Sequence, residues 1–521
     1  MQEFQLAIEH LFFSFPPWPL LWVLIGTVLG VVVGAVPGLT GAMLITLTLP
    51  ITYGMVAQDA MILLVSMYVG SISGGLITAT LLRMPGTPAS IITTLDGYPL
   101  AKSGRPGRAL GLGILASFAG GCISWIFLLT LSYPISEVST KLGPFDYFSL
   151  VLVALVLISS VSGDSLVRGL FAGMLGILCQ MPGESPATGE IRWTMGIDEL
   201  ESGMALVPLL IGVFVISEVI IQAEKAAKVK MIDLDKSKLD DPTAHYFTWP
   251  EFKRCFPLMF RSSIYGSLIG MMPGLGSSVA CFVAYGEEKR KAKNKDKWGT
   301  GVVEGIAAPE SANNAVSGPS MIPLLTLGIP GSTIAAVLIG MFLVNGLQVG
   351  PQIFATEPPL FVAGQMMSPR EFIFGIFAAG LVGIACYAII GYFTAPLIGR
   401  AIAILPTQYL YPFIFMISLA ASYSSRASIW DVGFAILFGI IGYGMRRTNF
   451  SAAAFIIAFV LTSSMEEAFR QSMIISDNGI WLFFSFEYQN KFSYAPIFLL
   501  IGAAVVIIRA VSSLSLIHIS E

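Results

Sequence analysis

Apolar residues run along this chain in long blocks, interrupted at a few places by Pro-Gly turns and clusters of basic residues. Residues 11–58 contain no Asp, Glu, Lys or Arg, and residues 311–369 contain only Glu357. Both windows exceed the ~20 apolar residues that cross a bilayer as one helix. Further apolar runs lie near 60–82, 109–132, 146–161, 165–181, 203–222, 301–325, 371–396, 402–422, 429–445, 450–464 and 495–511. The pattern predicts an all-α polytopic membrane protein of about 12 membrane segments.

Basic residues orient these segments, because Lys and Arg accumulate in cytoplasmic loops while Asp and Glu contribute little. No Lys or Arg precedes Arg83, and none lies between Lys297 and Arg370. Three clusters hold most of the rest: Arg83 to Arg108, Lys225 to Arg254, and KRKAKNKDK from Lys289 to Lys297. If all three are inside, segment 258–285 begins and ends on one side. As a single helix it would be about 42 Å long, enough for one crossing and too short for two. Pro273 and Gly274 interrupt it, so a re-entrant helical hairpin turning at PGLGSS is expected. Alternate threading of the remaining runs leaves only Lys141, Arg192, Arg370, Arg426, Arg470 and Lys491 outside.

The first apolar block carries the same signature. GVVVGAVPGLTGA aligns without a gap with GSLIGMMPGLGSS, pairing Gly30, Gly34, Pro37, Gly38 and Leu39 with Gly266, Gly270, Pro273, Gly274 and Leu275. A second pair of motifs, LRMPGTPAS and LGIPGSTIA, follows at a longer interval in the second half. The flanks of the first hairpin lack Lys and Arg, which places its ends outside and opposes it to the second. Two inverted-topology repeats, each with a broken or re-entrant helical hairpin, are therefore expected. The divisions are residues 1–222 for the first transmembrane repeat, 223–257 for a cytoplasmic polar linker, 258–470 for the second repeat, and 471–521 for a C-terminal membrane segment and tail.

Composition narrows the function classes. The chain is 55% hydrophobic and 12% charged, against about 25% charged in a soluble domain. A net charge of −3 offers no general basic surface for nucleic acid. Five cysteines without CxxC spacing and the scattered His10, His245 and His518 suggest neither a disulfide framework nor a metal centre. No GxxxxGK[ST], HExxH or GxSxG string occurs, so ATP hydrolysis and the corresponding hydrolase chemistries lack motif support. No catalytic residue, metal site or cofactor is assigned. The N-terminus lacks the positive region of a secretory signal, so the first apolar segment is expected to be retained.

Broken helices in hydrocarbon are costly, because each unpaired backbone amide costs several kcal/mol. Such breaks persist where they line a buried or watery cavity. The candidate substrate-binding residues are therefore Pro37, Gly38, Leu39, Thr40 and Gly41; Pro85, Gly86 and Thr87; Pro273, Gly274, Gly276, Ser277 and Ser278; and Pro330, Gly331, Ser332 and Thr333. Helix N-termini after these turns present N–H groups to an anion, and the hydroxyls add donors. Unwound carbonyls suit a cation such as sodium. The competing reading is that GxxxG at Gly30/Gly34 and Gly266/Gly270 is a close-packing surface.

In AAPESANNAVSG, Glu310 is the candidate for cation coupling, with Asn313 and Asn314 as binding amides. The alternative for Glu310 is a helix cap near the cytoplasmic surface. Glu218 and Glu224 are expected to be solvated, and Asp164 with Arg168 to form a surface pair. A carrier for an organic polyanion leads. An ion or small-anion channel, or a carrier working without a binding protein, is the alternative, while an intramembrane enzyme would need a nucleophile and base that are not evident.

These motifs resemble the large membrane subunit of the tripartite tricarboxylate transporter family, the TctA-type permease. The resemblance rests on GxxxGxxPGLTGAM at Gly30 to Met43, RMPGTPASIITTLDGYPLAKSG at Arg83 to Gly104, GMMPGLGSS at Gly270 to Ser278, and APESANNAVSGPSMIPLLTLGIPGS at Ala308 to Ser332. It implies a bacterial inner-membrane secondary transporter importing citrate-like carboxylates. It also implies a small membrane partner of about four spans, a periplasmic solute-binding protein, and an ion gradient, with Na+ favoured over H+. The last ten residues, SSLSLIHISE, depart from the basic or polar tail that the resemblance implies.

Overall fold

A computed structural model describes residues 2–13, 17–161, 165–226, 248–344, 347, 349–355, 360–362, 365–404, 407–476, 479–489 and 491–519. The first half contains α1 (Gln2–Phe13), α2 (Trp18–Ala35), α3 (Gly41–Thr52), α4 (Ala57–Leu82), α5 (Thr93–Lys102), α6 (Pro106–Ser139), α7 (Pro144–Val161), α8 (Leu166–Gln180), α9 (Leu206–Leu210) and α10 (Ser217–Ala226). The second contains α11 (Trp249–Gly270), α12 (Gly276–Lys291), α13 (Glu304–Ala315), α14 (Met321–Leu327), α15 (Thr333–Val344), α16 (Pro369–Ile404), α17 (Thr407–Arg426), α18 (Ile429–Arg447), α19 (Ala452–Ile475) and α20 (Ala495–Ile519). Short two-stranded antiparallel ribbons occupy three of the loops.

Among the described residues, seven helices are long and apolar enough to cross a membrane, and five shorter apolar helices accompany them. The protein is thus a predominantly helical, multi-pass membrane protein. At the centre stands α4, whose apolar window is buried throughout. A helix that is apolar all round belongs in a core, and α2, α5, α6 and α16 pack around it. The hydroxyls of Ser66, Ser71, Ser73, Thr78 and Thr80 are buried with it.

Close packing reproduces the repeat seen in the sequence. A Cβ on Gly30 would lie 2.5 Å from the Met67 carbonyl oxygen, and one on Gly34 would lie 2.2 Å from that of Ser71. In the second half, a Cβ on Gly266 would lie 2.4 Å from the Ala312 oxygen and one on Gly270 2.9 Å from Val316 Cα. Small residues let the backbones meet, as the GxxxG spacing suggested. Gly86 rests on Gly75, and Gly331 rests on Ser320, each with a Cβ distance of 2.9 Å. Ala312, Val316, Ser320 and Gly331 follow Met67, Ser71, Gly75 and Gly86 at one constant interval. The glycines of α2 and α11 keep a shorter interval. The difference falls in the longer α12 and the basic loop that follows it.

Three expectations change. The 301–325 run is not one span: α13 ends at Ala315 and α14 begins at Met321, after a turn. Glu218 and Glu224 are not solvated singly, because α10 packs on α18 and meets its basic last turn. Glu218, only 7% exposed, pairs with Arg446, and Glu224 pairs with Arg447. Asp164 and most of the polar linker lie outside the described residues.

Candidate functional site

The four motifs become four helix interruptions. Between α2 and α3, Gly38 takes φ of 86°, and between α11 and α12 the equivalent Gly274 takes 88°. Side chains rarely adopt this left-handed conformation, so glycine at both positions is a backbone requirement. The Pro37 carbonyl accepts from the Tyr411 hydroxyl at 3.1 Å. Thr40 caps α3, its Oγ1 accepting from Met43 N at 3.3 Å. Ser332 caps α15 in the same way, accepting from Ala335 N at 3.2 Å. The α12 N-terminus differs: no side chain caps it, so its first turn, with Ser277 and Ser278, keeps unpaired N–H groups. After α4, Pro85 and Gly86 lead to Thr87, whose hydroxyl meets that of Ser90 at 2.9 Å.

These interruptions join in a ring. A Cβ on Gly86 would lie 2.2 Å from the Gly34 oxygen, so the second interruption rests on the helix end that leads into the first. A Cβ on Gly41 would touch Ser71 Oγ and lie 3.1 Å from Ile334 Cδ1, joining the first interruption to the fourth. Gly274 N donates to the Gly331 oxygen at 3.0 Å, joining the third to the fourth. The ring closes where α12 packs on the 3-10 turn Pro88–Ile91. Leu39, Gly41, Gly86, Pro330 and Gly331 are buried, whereas Thr40, Thr87, Ser277, Ser278, Ser332 and Thr333 are half-buried, as are Pro37, Gly38, Pro85, Pro273, Gly274 and Gly276. The hydroxyl residues of the interruptions thus remain partly accessible.

Glu310 stands beside this ring. It lies well inside α13 and is fully buried, which overturns the surface-cap reading. Thr93 of α5 donates to its Oε1, and Ser117 of α6 donates to Oε2 at 3.2 Å. Asn314 donates through Nδ2 to the Glu310 carbonyl at 3.2 Å, and its Oδ1 accepts from Ser73 Oγ at 2.6 Å. Asn313 Nδ2 donates to the Ile72 carbonyl at 3.4 Å. Among the described residues, the groups bonded to the carboxylate are hydroxyl and amide, not cationic. This set of oxygen ligands suits a hard cation or a proton.

One residue of this neighbourhood was not singled out in the sequence. Asp96 of α5 is fully buried and accepts from Gly299 N, Gly301 N and Val302 N at 3.0, 2.8 and 2.9 Å, and from the Tyr285 hydroxyl at 2.9 Å. It ties α5 to the loop between α12 and α13, one turn along from Thr93. A lone acid in TTLDGYP was the available signal.

Residues 20–457 match a family model described as the tripartite tricarboxylate transporter TctA family. An Agrobacterium vitis protein described as an uncharacterized 52.8 kDa protein in the TAR-I ttuC' 3' region is 33% identical over 446 residues, covering 84% of each chain. A second A. vitis protein, described as uncharacterized in the TAR-II ttuC' 3' region, is 37% identical over 220 residues, or 42% of this chain and 85% of that one. No solved structure matches.

Proposed function

The chain belongs to the tripartite tricarboxylate transporter TctA family, and from that membership we propose that it is the large membrane subunit of an ion-gradient-driven importer of citrate-like carboxylates. The family is one of transporters, not enzymes, and its name implies partner subunits. In this reading the partners are a small membrane protein of about four spans and a periplasmic binding protein, and the membrane is the bacterial inner membrane.

The observation that carries the proposal is the ring of four interruptions, duplicated by the internal repeat. A carboxylate cargo sits against the uncapped first turn of α12, where N–H groups and the positive dipole end favour an anion. Thr87, Ser277, Ser278 and Thr333 supply hydroxyl donors, so no arginine is required. The coupling cation, Na+ in this reading, binds at Glu310 beside the ring. Inverted repeats then support alternating access, with one hairpin-bearing half rocking against the other.

Proteoliposomes containing the chain and its small partner test this directly. Accumulation of citrate is expected only with binding protein outside and a cation gradient; gradient-independent equilibration would make the protein a channel. Ser277→Val is expected to weaken uptake without changing thermal stability, whereas Thr40→Val should lower both, since loss of a helix cap costs about 1 kcal/mol. Single cysteines at Lys293 and Gln352 should label from opposite sides; same-side labelling would remove the inversion.

A further inference from the structure

A cavity of about 320 Å³ lies where the end of α6, the start of α7 and the end of α14 meet α19. Tyr147, Gln352, Ser464, Glu467 and Gln471 line it, and Leu327 of α14 closes one wall. Glu467 is the charged residue among its described lining residues, and its carboxylate accepts from the neutral Gln471 amide at 3.1 Å. Two nearby cations are already engaged, Arg192 and Arg470 both binding Glu466 at 2.5 and 3.0 Å, while Lys141, beside the lining residue Leu142, is exposed to solvent. The long helix α6 ends at the cavity rim, where Ser139 and Leu142 line it, and a helix C-terminus adds negative potential; the positive first turn of α7, which also lines the cavity, is offset by Asp146, which accepts from Gly143 N at 3.0 Å. A carboxylate cargo is repelled from such a site, whereas an ammonium or guanidinium group is drawn to it. The volume falls within the ~300–1,000 Å³ of sites that enclose an organic group, and exceeds the need of one bare ion.

We propose that this cavity is a docking socket for a lysine or arginine side chain of the binding protein that delivers the substrate. The inference rests on the importer reading, and on the threading that puts Lys141, Arg192 and Arg470 outside. Charge complementarity selects the occupant, and position gives it a consequence. Leu327 directly precedes Gly328, and a Cβ there would lie 3.3 Å from the Val349 oxygen and 3.4 Å from the Tyr147 hydroxyl, two residues that also line the cavity. A seated side chain therefore presses on the turn that carries Pro330 and Gly331. Docking and the fourth interruption of the ring share one wall.

The test uses the chain with its small partner in proteoliposomes and reads two fluxes of citrate. One is uptake driven by the loaded binding protein, and the other is counterflow of citrate at high concentration without it. Glu467→Lys is expected to reduce delivered uptake at least tenfold while counterflow stays at the wild-type level. Glu467→Gln should reduce delivery less and flatten its dependence on salt, since the charge attraction is screened by ions. Delivery by Glu467→Lys equal to wild type, or parallel loss of both fluxes in both variants, would overturn the socket alone. Wild-type uptake that needs no binding protein would overturn the importer reading and the socket with it.

Discussion

Ser73 of α4 donates its hydroxyl to the side-chain oxygen of Asn314 in α13 at 2.6 Å. The bond joins a helix of the first half of the chain to one of the second, and two others flank it. Asn313 reaches the Ile72 carbonyl at 3.4 Å, and the hydroxyls of Tyr68 and Ser320 meet at 2.9 Å. Ser73, Asn313, Asn314 and Ser320 are all buried. Because a buried polar atom without a partner is expensive, the three bonds fix how the halves are registered.

Ser73→Ala leaves the Asn314 oxygen buried without this donor. The expected cost is about 1–3 kcal/mol, the penalty for an unsatisfied buried group, seen as a lower melting temperature in detergent. Ser73→Thr keeps the hydroxyl and should recover most of it. A Ser73→Ala protein melting with the wild type would mean that the bond does not hold the two halves of the chain together.

Two glycines should respond with opposite sign. A Cβ at Gly34 runs into the Ser71 backbone at 2.2 Å, whereas nothing lies within 4 Å of one at Gly433. Gly34→Ala must push α2 from α4, and overpacking of this kind costs about 1–3 kcal/mol. Gly433→Ala sits on the open face of α18 and is expected to stabilise by up to about 1 kcal/mol through helix propensity. Thermal unfolding of the two variants in one detergent decides it; destabilisation by both alike would point to backbone effects unrelated to the crossing.

Much of this arrangement was legible because it was written twice. The PGL and PG[TS] strings mark interruptions by local backbone chemistry, and the left-handed Gly38 and Gly274 are what such turns demand. The charge-free window 11–58 holds the candidate span Trp18–Ala35, whereas the window 311–369 holds, among the described residues, only shorter helices, because the turn after α13 and the Pro-Gly break divide it. What the sequence could not reveal was pairing across the chain. Glu218 looked like a solvated acid because its partner Arg446 lies on another helix. Glu310 read equally well as a cap, since only the packing of α5 and α6 buries it under Thr93 and Ser117. The pairing of Asp96 carries no sequence signal, because three of its donors are backbone amides and the fourth, the Tyr285 hydroxyl, lies far along the chain.

Asp96 is expected to be the strongest structural acid in this region. Asp96→Asn replaces an acceptor-only group with one that presents N–H to the N–H groups of Gly299, Gly301 and Val302. Hydrogen bonds to charged groups contribute about 1.5–3 kcal/mol each, so a loss of at least about 3 kcal/mol is expected from the set. Tyr285→Phe removes one donor and should cost less than half as much. In a double-mutant cycle the two changes must couple, because the residues touch. Additive effects would place the tyrosine hydroxyl on another partner.

Glu310 gives the sharpest test of coupling. A buried carboxylate whose bonded partners are neutral carries a large desolvation penalty, and a bound cation or proton relieves it. Glu310→Gln removes the charge and keeps the shape and an acceptor oxygen for Thr93 or Ser117. If Na+ binds there, Na+ stabilises the folded wild type, by about 2.7 kcal/mol at a concentration of 100 Kd, and leaves Glu310→Gln unmoved. Citrate accumulation by the variant should fall to the level reached without a gradient, while counterflow, which needs no net coupling, persists. Equal Na+ stabilisation of both proteins would move the cation elsewhere. Stabilisation of the wild type by acid in place of Na+, absent in the variant, would make the proton the coupling ion at the same carboxylate.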